Sequence, residues 1–384
     1  MTTYIKAKRF YYPGHVREAG YLEITANGQF GEYTSELKDA EAKVVDYSDF
    51  SVAPGLVDTH IHGFMGYDVM DNDAEGLRVI AEGLPSCGVT SWLPTTLTAD
   101  HDLLKEVCQT IKNFKGNAKS AKIRGIFFEG PYFCEEHKGA QNPKYMTDPN
   151  SDELDEWQEA AGGLLKKIAI APERPGSVEF TRHAREKGIF IALGHSGATY
   201  EECLKAVDAG ANIFVHVFNG MRGLHHREPG VVGAAMNCKE TYGELICDGY
   251  HVQPGACECL MNAHGRDRIA LITDCMRAGG LGDGKSTLGE FEVIVKDGAA
   301  RLANSGSLAG SVLQLIHGVK NVVDWEIATP QEALHMATLS PAKSVKIDDV
   351  CGKIAAGYAA DFIVLNDDLE LQATYIDGEK VYQA

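Results

Sequence analysis

No run of about 18 or more uncharged apolar residues occurs in the 384-residue chain, which argues against a membrane-spanning helix. Positive charge is also scarce. The chain carries 36 Lys and Arg against 54 Asp and Glu, a formal net charge of -18, and no basic stripe that would release counterions from nucleic acid. That balance leaves an anionic small-molecule substrate open, because fields are screened over about 8 Å and a few local cations decide binding in a cleft. The segment Met1-Thr2-Thr3-Tyr4-Ile5-Lys6 has no signal-peptide core, so a cytoplasmic location is expected. A disulfide framework is missing as well: the ten cysteines are scattered, and reduced thiols are expected. The one close pair, Cys257 and Cys259, falls in a helical stretch where positions two apart face different ways. There is no internal repeat, low-complexity tract or long linker. Hydrophobic content of 44% and charged content of 23% are those of an ordinary globular protein.

What is present begins with Pro54-Gly55-Leu56-Val57-Asp58-Thr59-His60-Ile61-His62-Gly63, in which His60 and His62 sit two apart at the end of an apolar run. On a strand such residues share a face, so both imidazoles can reach one metal ion. A lone pair of this kind is as often two ordinary polar residues at a strand end. Recurrence changes that reading. Four further short apolar runs end at Glu129, His195, His216 and Asp274, and the stretches between runs have helical length and period, as in 75–87, 177–187 and 200–209. Polar groups at the carboxyl ends of alternating strands and helices describe an α/β fold, a (β/α)8 TIM-like barrel with its site on the C-terminal face. The chain is longer than the roughly 250 residues of a bare barrel. The surplus lies at both ends, where short alternating runs and the Asp377-Gly378 hairpin signal predict a small β-sandwich. We assign residues 1–53 and 345–384 to that domain and 54–344 to the barrel.

Several segments together resemble the N-acetylglucosamine-6-phosphate deacetylase family of the amidohydrolase superfamily over essentially the whole chain. They include Pro54–Gly63, Glu129-Gly130-Pro131, Ala171-Pro172-Glu173, Gly194-His195-Ser196, His216–Met221, His226–Gly230, Asp248–His251, Thr273-Asp274, Leu308–Ser311 and Gly357–Phe362. The resemblance implies hydrolysis of the N-acetyl group of N-acetyl-D-glucosamine 6-phosphate, giving D-glucosamine 6-phosphate and acetate, in amino-sugar catabolism. It implies that Glu129, His195 and His216 hold the principal divalent metal, with zinc expected, and that His60 and His62 are placed for a second, so one or two ions per chain. Asp274 is then the expected general base toward water and general acid toward the leaving amine. Arg227 and His251 suit the phosphate, with backbone N–H groups after Asn219 helping and with one or both cationic contacts crossing the interface of a homodimer. Gly220 and Leu308 fall within family-like substrate segments. Gln141 stands where some members carry a substrate-contacting histidine, and it still donates and accepts. Gly220 replaces the more usual alanine, and Cys275 stands where alanine is common. Cys134, in the loop after Glu129, reads as a thiol without a role.

Two rival readings have distinct signatures. Cyclic-amide hydrolases of the same superfamily bridge their metals through a modified lysine at a strand end. Here Lys166 and Lys167 begin the run Ile168-Ala169-Ile170-Ala171 and are expected at the opposite end of the barrel, which favours Glu129 as the bridge. A catalytically silent binding protein has no need of a general base, and Asp274 is present.

Overall fold

The computed structural model describes residues 2–37 and 41–384. Eight parallel strands follow one another around a barrel: Leu56–Ile61, Val89–Thr96, Ile126–Glu129, Leu165–Ile170, Phe190–Leu193, Ile213–Phe214, Tyr242–Leu245 and Ile269–Leu271. Each pairs with its sequence neighbour from the first to the eighth. The ring closes through residues just past the eighth strand, since the Asp274 N–H donates to the His60 carbonyl at 2.9 Å and the His62 N–H to the Cys275 carbonyl at 2.8 Å. The second strand is buried along its whole length, as expected for a strand covered on both faces.

Every strand leads to a helix, and local chemistry sets where each begins. Asp73 caps Ala74–Gly83 by accepting the Glu75 and Gly76 N–H groups, and Asp100 and Asn150 cap the next two helices. Helix His101–Asn113 buries Leu104, Val107, Cys108 and Ile111, a stripe at three- and four-residue spacing that packs on the barrel. The helix expected over 75–87 ends at Gly83 and continues as a tight 3₁₀ turn, Leu84–Cys87, because Pro85 has no N–H to donate to an α-helical ladder. The helices expected over 177–187 and 200–209 occur as Ser177–Glu186 and Tyr200–Asp208.

Both chain ends meet in one eight-stranded sheet. Strand Thr3–Tyr12 pairs with Lys43–Pro54, which pairs in turn with Phe362–Leu365 from the other end of the chain. The sheet curls over its own core of Phe10, Leu22, Phe30, Val52, Phe362 and Tyr375, separate from the barrel core. Strand Lys43–Pro54 runs through Gly55 directly into the first barrel strand. Val345, Ile347 and Cys351 pack with Val57, Leu93 and Phe127 of the barrel, whereas Ile354 belongs to the terminal sheet's core.

The elements without a counterpart in the sequence reading include one at the rim of the site. An antiparallel three-stranded sheet, Gly284–Leu288, Phe291–Lys296 and Ala299–Leu302, follows the eighth barrel strand. Its inward residues Leu288, Val293, Val295 and Ala300 pack with Leu97, Met276 and Ala278 at the rim of the C-terminal face.

Candidate metal centre and substrate pocket

Six residues converge at the carboxyl ends of the strands. Glu129, His195 and His216 place ligand atoms within 4.8 Å of one another, and so do His60, His62 and Asp274. Glu129 faces both groups. Its Oε1 lies 3.3 Å from His195 Nε2, 3.0 Å from His216 Nε2 and 3.3 Å from His60 Nε2, while its Oε2 lies 3.2 Å from His62 Nε2. Asp274 Oδ1 is 3.1 Å from His62 Nε2 and 3.5 Å from His60 Nε2. Aiming these side chains inward strains the chain: His195, His216 and Asp274 all have positive φ, at 47°, 27° and 50°. Such conformations cost about 1–3 kcal/mol each and persist where packing over-determines them, which is typical of functional sites.

The histidine tautomers follow from their outer partners. Carboxylates and carbonyls only accept, so His60 carries its proton on Nδ1, donating to Glu244 Oε2 at 3.2 Å. His62 Nδ1 donates to the Thr95 carbonyl at 3.2 Å and His195 Nδ1 to the His137 carbonyl at 2.9 Å. In its neutral form each of these three rings therefore turns an Nε2 lone pair toward the centre, the arrangement that outer-shell acceptors enforce on metal-binding imidazoles. His60 Nε2 and His62 Nε2 are buried without a hydrogen-bond partner of their own. Buried, partnerless imidazole nitrogens facing two carboxylates fit a divalent cation.

Electrostatics point the same way. Burial alone would raise Glu129, but His60, His195 and His216 hold it well below the usual carboxylate range. Asp274 is also lowered, with burial opposed by His60 and His62. For His60 burial favours the neutral ring, yet Glu129 and Asp274 overcome it and push its pKa up to about 9. A metal cation in this nest would replace the positive charge that these protons supply.

Sequence reasoning missed the layer beneath. Lys167 is wholly buried, donates to Glu244 Oε1 and to the Thr59 carbonyl at 3.1 Å, and lies 3.6 Å from the Phe127 ring centre. The expectation that it sits at the opposite end of the barrel is corrected. The strand begins at Leu165, so Lys167 points into the barrel and its four-carbon stem carries the ammonium up to Glu244. Glu244 lies on the seventh strand, and alternation along Tyr242–Leu245 was the only signal that it faces inward. Asp58, pushed up to about 6 by burial against hydrogen bonds from Thr273 and His60, completes this layer.

A pocket of about 140 Å³ opens over the centre. Gln141, Asn219, Gly220, His251 and Leu308 line it together with His62, Glu129, His195, His216 and Asp274. Gln141 is locked, its Oε1 accepting the Thr98 N–H at 2.8 Å while its Nε2 donates to Glu129 Oε2. His251 Nδ1 is 2.7 Å from Asp248 Oδ2. A Cβ at Gly220, where φ is +55°, would stand 2.8 Å from His195 Nδ1, so glycine spares that ligand a clash. Arg227 is not brought to the pocket of its own chain: it is exposed, with its Nη1 donating to His226 Nε2 at 2.7 Å. Cys134 is half-buried and all ten cysteines are unpaired, with Cys257 buried and Cys259 exposed on one helix. Among the described residues no helix is long and apolar enough to cross a membrane.

Residues 51–381 match the amidohydrolase family. The chain is 36% identical over 380 residues to an N-acetylglucosamine-6-phosphate deacetylase of Vibrio furnissii, covering 99% of this chain and 95% of that protein. It is 38% identical to an N-acetylgalactosamine-6-phosphate deacetylase of Escherichia coli O157:H7, covering 95% and 98%. Among solved structures, an N-acetyl-D-glucosamine-6-phosphate deacetylase variant of Mycobacterium smegmatis, in complex with N-acetyl-D-glucosamine-6-phosphate, superimposes with a TM-score of 0.93 at 28% identity over the full length of both chains.

Proposed function

This chain belongs to the amidohydrolase family, with N-acetylglucosamine-6-phosphate deacetylases among its relatives, and we propose on that footing that it removes the acetyl group from N-acetyl-D-glucosamine 6-phosphate, giving D-glucosamine 6-phosphate and acetate. The observation that carries this reading is the meeting of Glu129, three Nε2-presenting histidines, His216 and Asp274 in a pocket whose far side offers His251 and Asn219. Glu129, His195 and His216 would hold a divalent metal, zinc by donor chemistry, and His60 and His62 a second. A metal bound there lowers the pKa of water and polarises an amide carbonyl.

The chain's own groups do the rest. Asp274, kept ionised by the histidines beside it, takes a proton from the attacking water and returns it to the leaving nitrogen, because an amine departs poorly unless protonated. Gln141 fixes the carboxylate plane of Glu129, and Glu244 fixes the ring of His60. His251, supported by Asp248, and the backbone beyond Asn219 receive the phosphate. Arg227 adds its guanidinium from the partner chain of a homodimer, which accounts for its exposed place outside its own pocket. A cytoplasmic location suits a phosphorylated substrate.

The test is acetate release from N-acetylglucosamine 6-phosphate by purified protein, before and after chelation and after zinc is restored. Activity that survives complete metal removal would defeat the proposal. The galactosamine epimer is a second substrate reading, favoured by the relative of that specificity. Comparing kcat/KM for the two sugar phosphates decides between them.

A further inference from the structure

Beside the substrate pocket lies a second cavity of about 230 Å³, and the two share Leu97, Ala140 and Gln141 as lining. Its remaining walls come from the connections after the first three barrel strands, including helix His101–Asn113, and from the connection and three-stranded sheet after the eighth, with Met70, Ala99, Leu103 and Phe291 as the apolar surface. We infer that this cavity is an acyl subsite, and that the enzyme also hydrolyses hexosamine 6-phosphates bearing linear N-acyl chains of four to six carbons. The inference rests on the deacetylase reading of the neighbouring pocket.

Topology gives the direction of the chain. The eight strands run in order around the barrel, so the loops after strands two and three lie across from those after strands six and seven. Asn219 and Gly220 follow strand six and His251 follows strand seven, which places the phosphate and sugar on that side. The scissile carbonyl must lie at the centre, between Glu129 and Asp274. An amide has its nitrogen on the sugar side, so its acyl carbons extend the other way, toward Leu97 and Ala140 and into the cavity. Hydrolysis is balanced as for acetyl: water oxygen bonds to the carbonyl carbon, the C–N bond breaks, a water proton passes to the amine, and the longer carboxylate leaves.

Most polar groups around the cavity already have partners, the buried Arg277 Nε being the exception, which favours a largely apolar occupant. The Thr98 N–H donates to Gln141, Arg277 is 2.7 Å from Asp71, and Asn142 and Tyr145 each donate to Glu290 at 2.9 Å. Apart from Arg277 Nε, what remains is hydrocarbon surface that an acetyl methyl would leave uncovered.

The experiment measures kcat/KM by amine release from N-acetyl, N-butanoyl and N-hexanoyl glucosamine 6-phosphate. A site closed behind acetyl would lose about 10–200-fold for each added methylene, so butanoyl turnover within about tenfold of acetyl is the expected result. A larger loss, with acetyl turnover intact, overturns the subsite alone. Absence of acetyl turnover would remove the deacetylase reading and this one together. Filling the cavity with Leu103→Trp should lower the butanoyl-to-acetyl ratio by about tenfold or more, and opening it with Phe291→Ala should raise the hexanoyl-to-acetyl ratio. Ratios are read within one protein and so are insensitive to the fraction folded. Unchanged ratios in both variants overturn the proposal.

Discussion

In the proposed reaction a single side chain, Asp274, serves two steps, and its place beside His60 and His62 leaves both this role and ligation to be tested. Asn keeps its shape but has no basic oxygen. Asp274→Asn should therefore lower kcat by about 10²–10⁴-fold while the Glu129, His195 and His216 ion stays bound, as metal analysis of the same sample would record. Glu244 acts one layer further out. Because it is the acceptor that keeps the His60 proton on Nδ1, Glu244→Gln should weaken metal binding at the His60 and His62 position by about 10–100-fold. An unchanged stoichiometry and affinity would reduce Glu244 to a counter-ion for Lys167. The third expectation concerns pH. Without metal, His60 is raised from 6.5 to about 9, burial being outweighed by Glu129 and Asp274. A raised histidine contributes stability that is full below its unfolded value of about 6.5 and is lost as pH climbs through 9. Metal must displace that proton, so affinity should grow by up to about tenfold per pH unit across this window, with a proton released on binding. Calorimetric titration in buffers of different ionisation enthalpy checks it, and a flat profile between pH 6.5 and 9 would contradict the assignment.

The elements that hold these residues divide into a rigid ring and a rim that closes over it. Strand ends supply the ligands, whereas Gln141 and the His137 carbonyl come from the long connection after strand three. That connection is tied to the three-stranded sheet through Glu290, which accepts from Asn142 Nδ2 and from the Tyr145 hydroxyl, both at 2.9 Å. Glu290 itself is exposed, so its loss should cost the fold less than about 1 kcal/mol. Glu290→Ala should nonetheless raise KM more than it lowers kcat and speed amide exchange across 134–146, since a freed connection holds Gln141 less well. Exchange indistinguishable from wild type would mean that packing alone holds the rim. This part of the molecule was not legible beforehand. The sheet after strand eight is short and half-exposed, and its buried residues pack on Leu97 and Met276, contacts across the fold that leave no local pattern.

For the whole molecule, the proposed dimer is tested at Arg227, which is exposed on its own chain. If it acts across a dimer, mixing Arg227→Ala chains with Asp274→Asn chains should restore up to about a quarter of wild-type activity, because one site of each hybrid has both intact groups. No recovery on subunit exchange would place Arg227 elsewhere in the reaction or outside it. The barrel, its strand ends and the joining of both termini in one strand-rich domain were readable from the chain itself, whereas the expected sandwich is a single eight-stranded sheet. Strand periodicity is local, and metal-competent side chains at the carboxyl ends of five of the eight strands announce a shared face. The six residues that converge at the strand ends were likewise visible after apolar runs, whereas Gln141, Asn219, Gly220, His251 and Leu308 of the pocket lining were named from the family resemblance. What only the tertiary structure decided were relations between strands far apart in sequence. Lys167 rising inside the barrel to meet Glu244, the two groups of three facing one another through Glu129, and the cavity behind Leu97 all depend on how the ring closes. Closure sets distances between residues that no period in the chain relates, so the sequence names the chemical groups, and the closed barrel determines which of them touch.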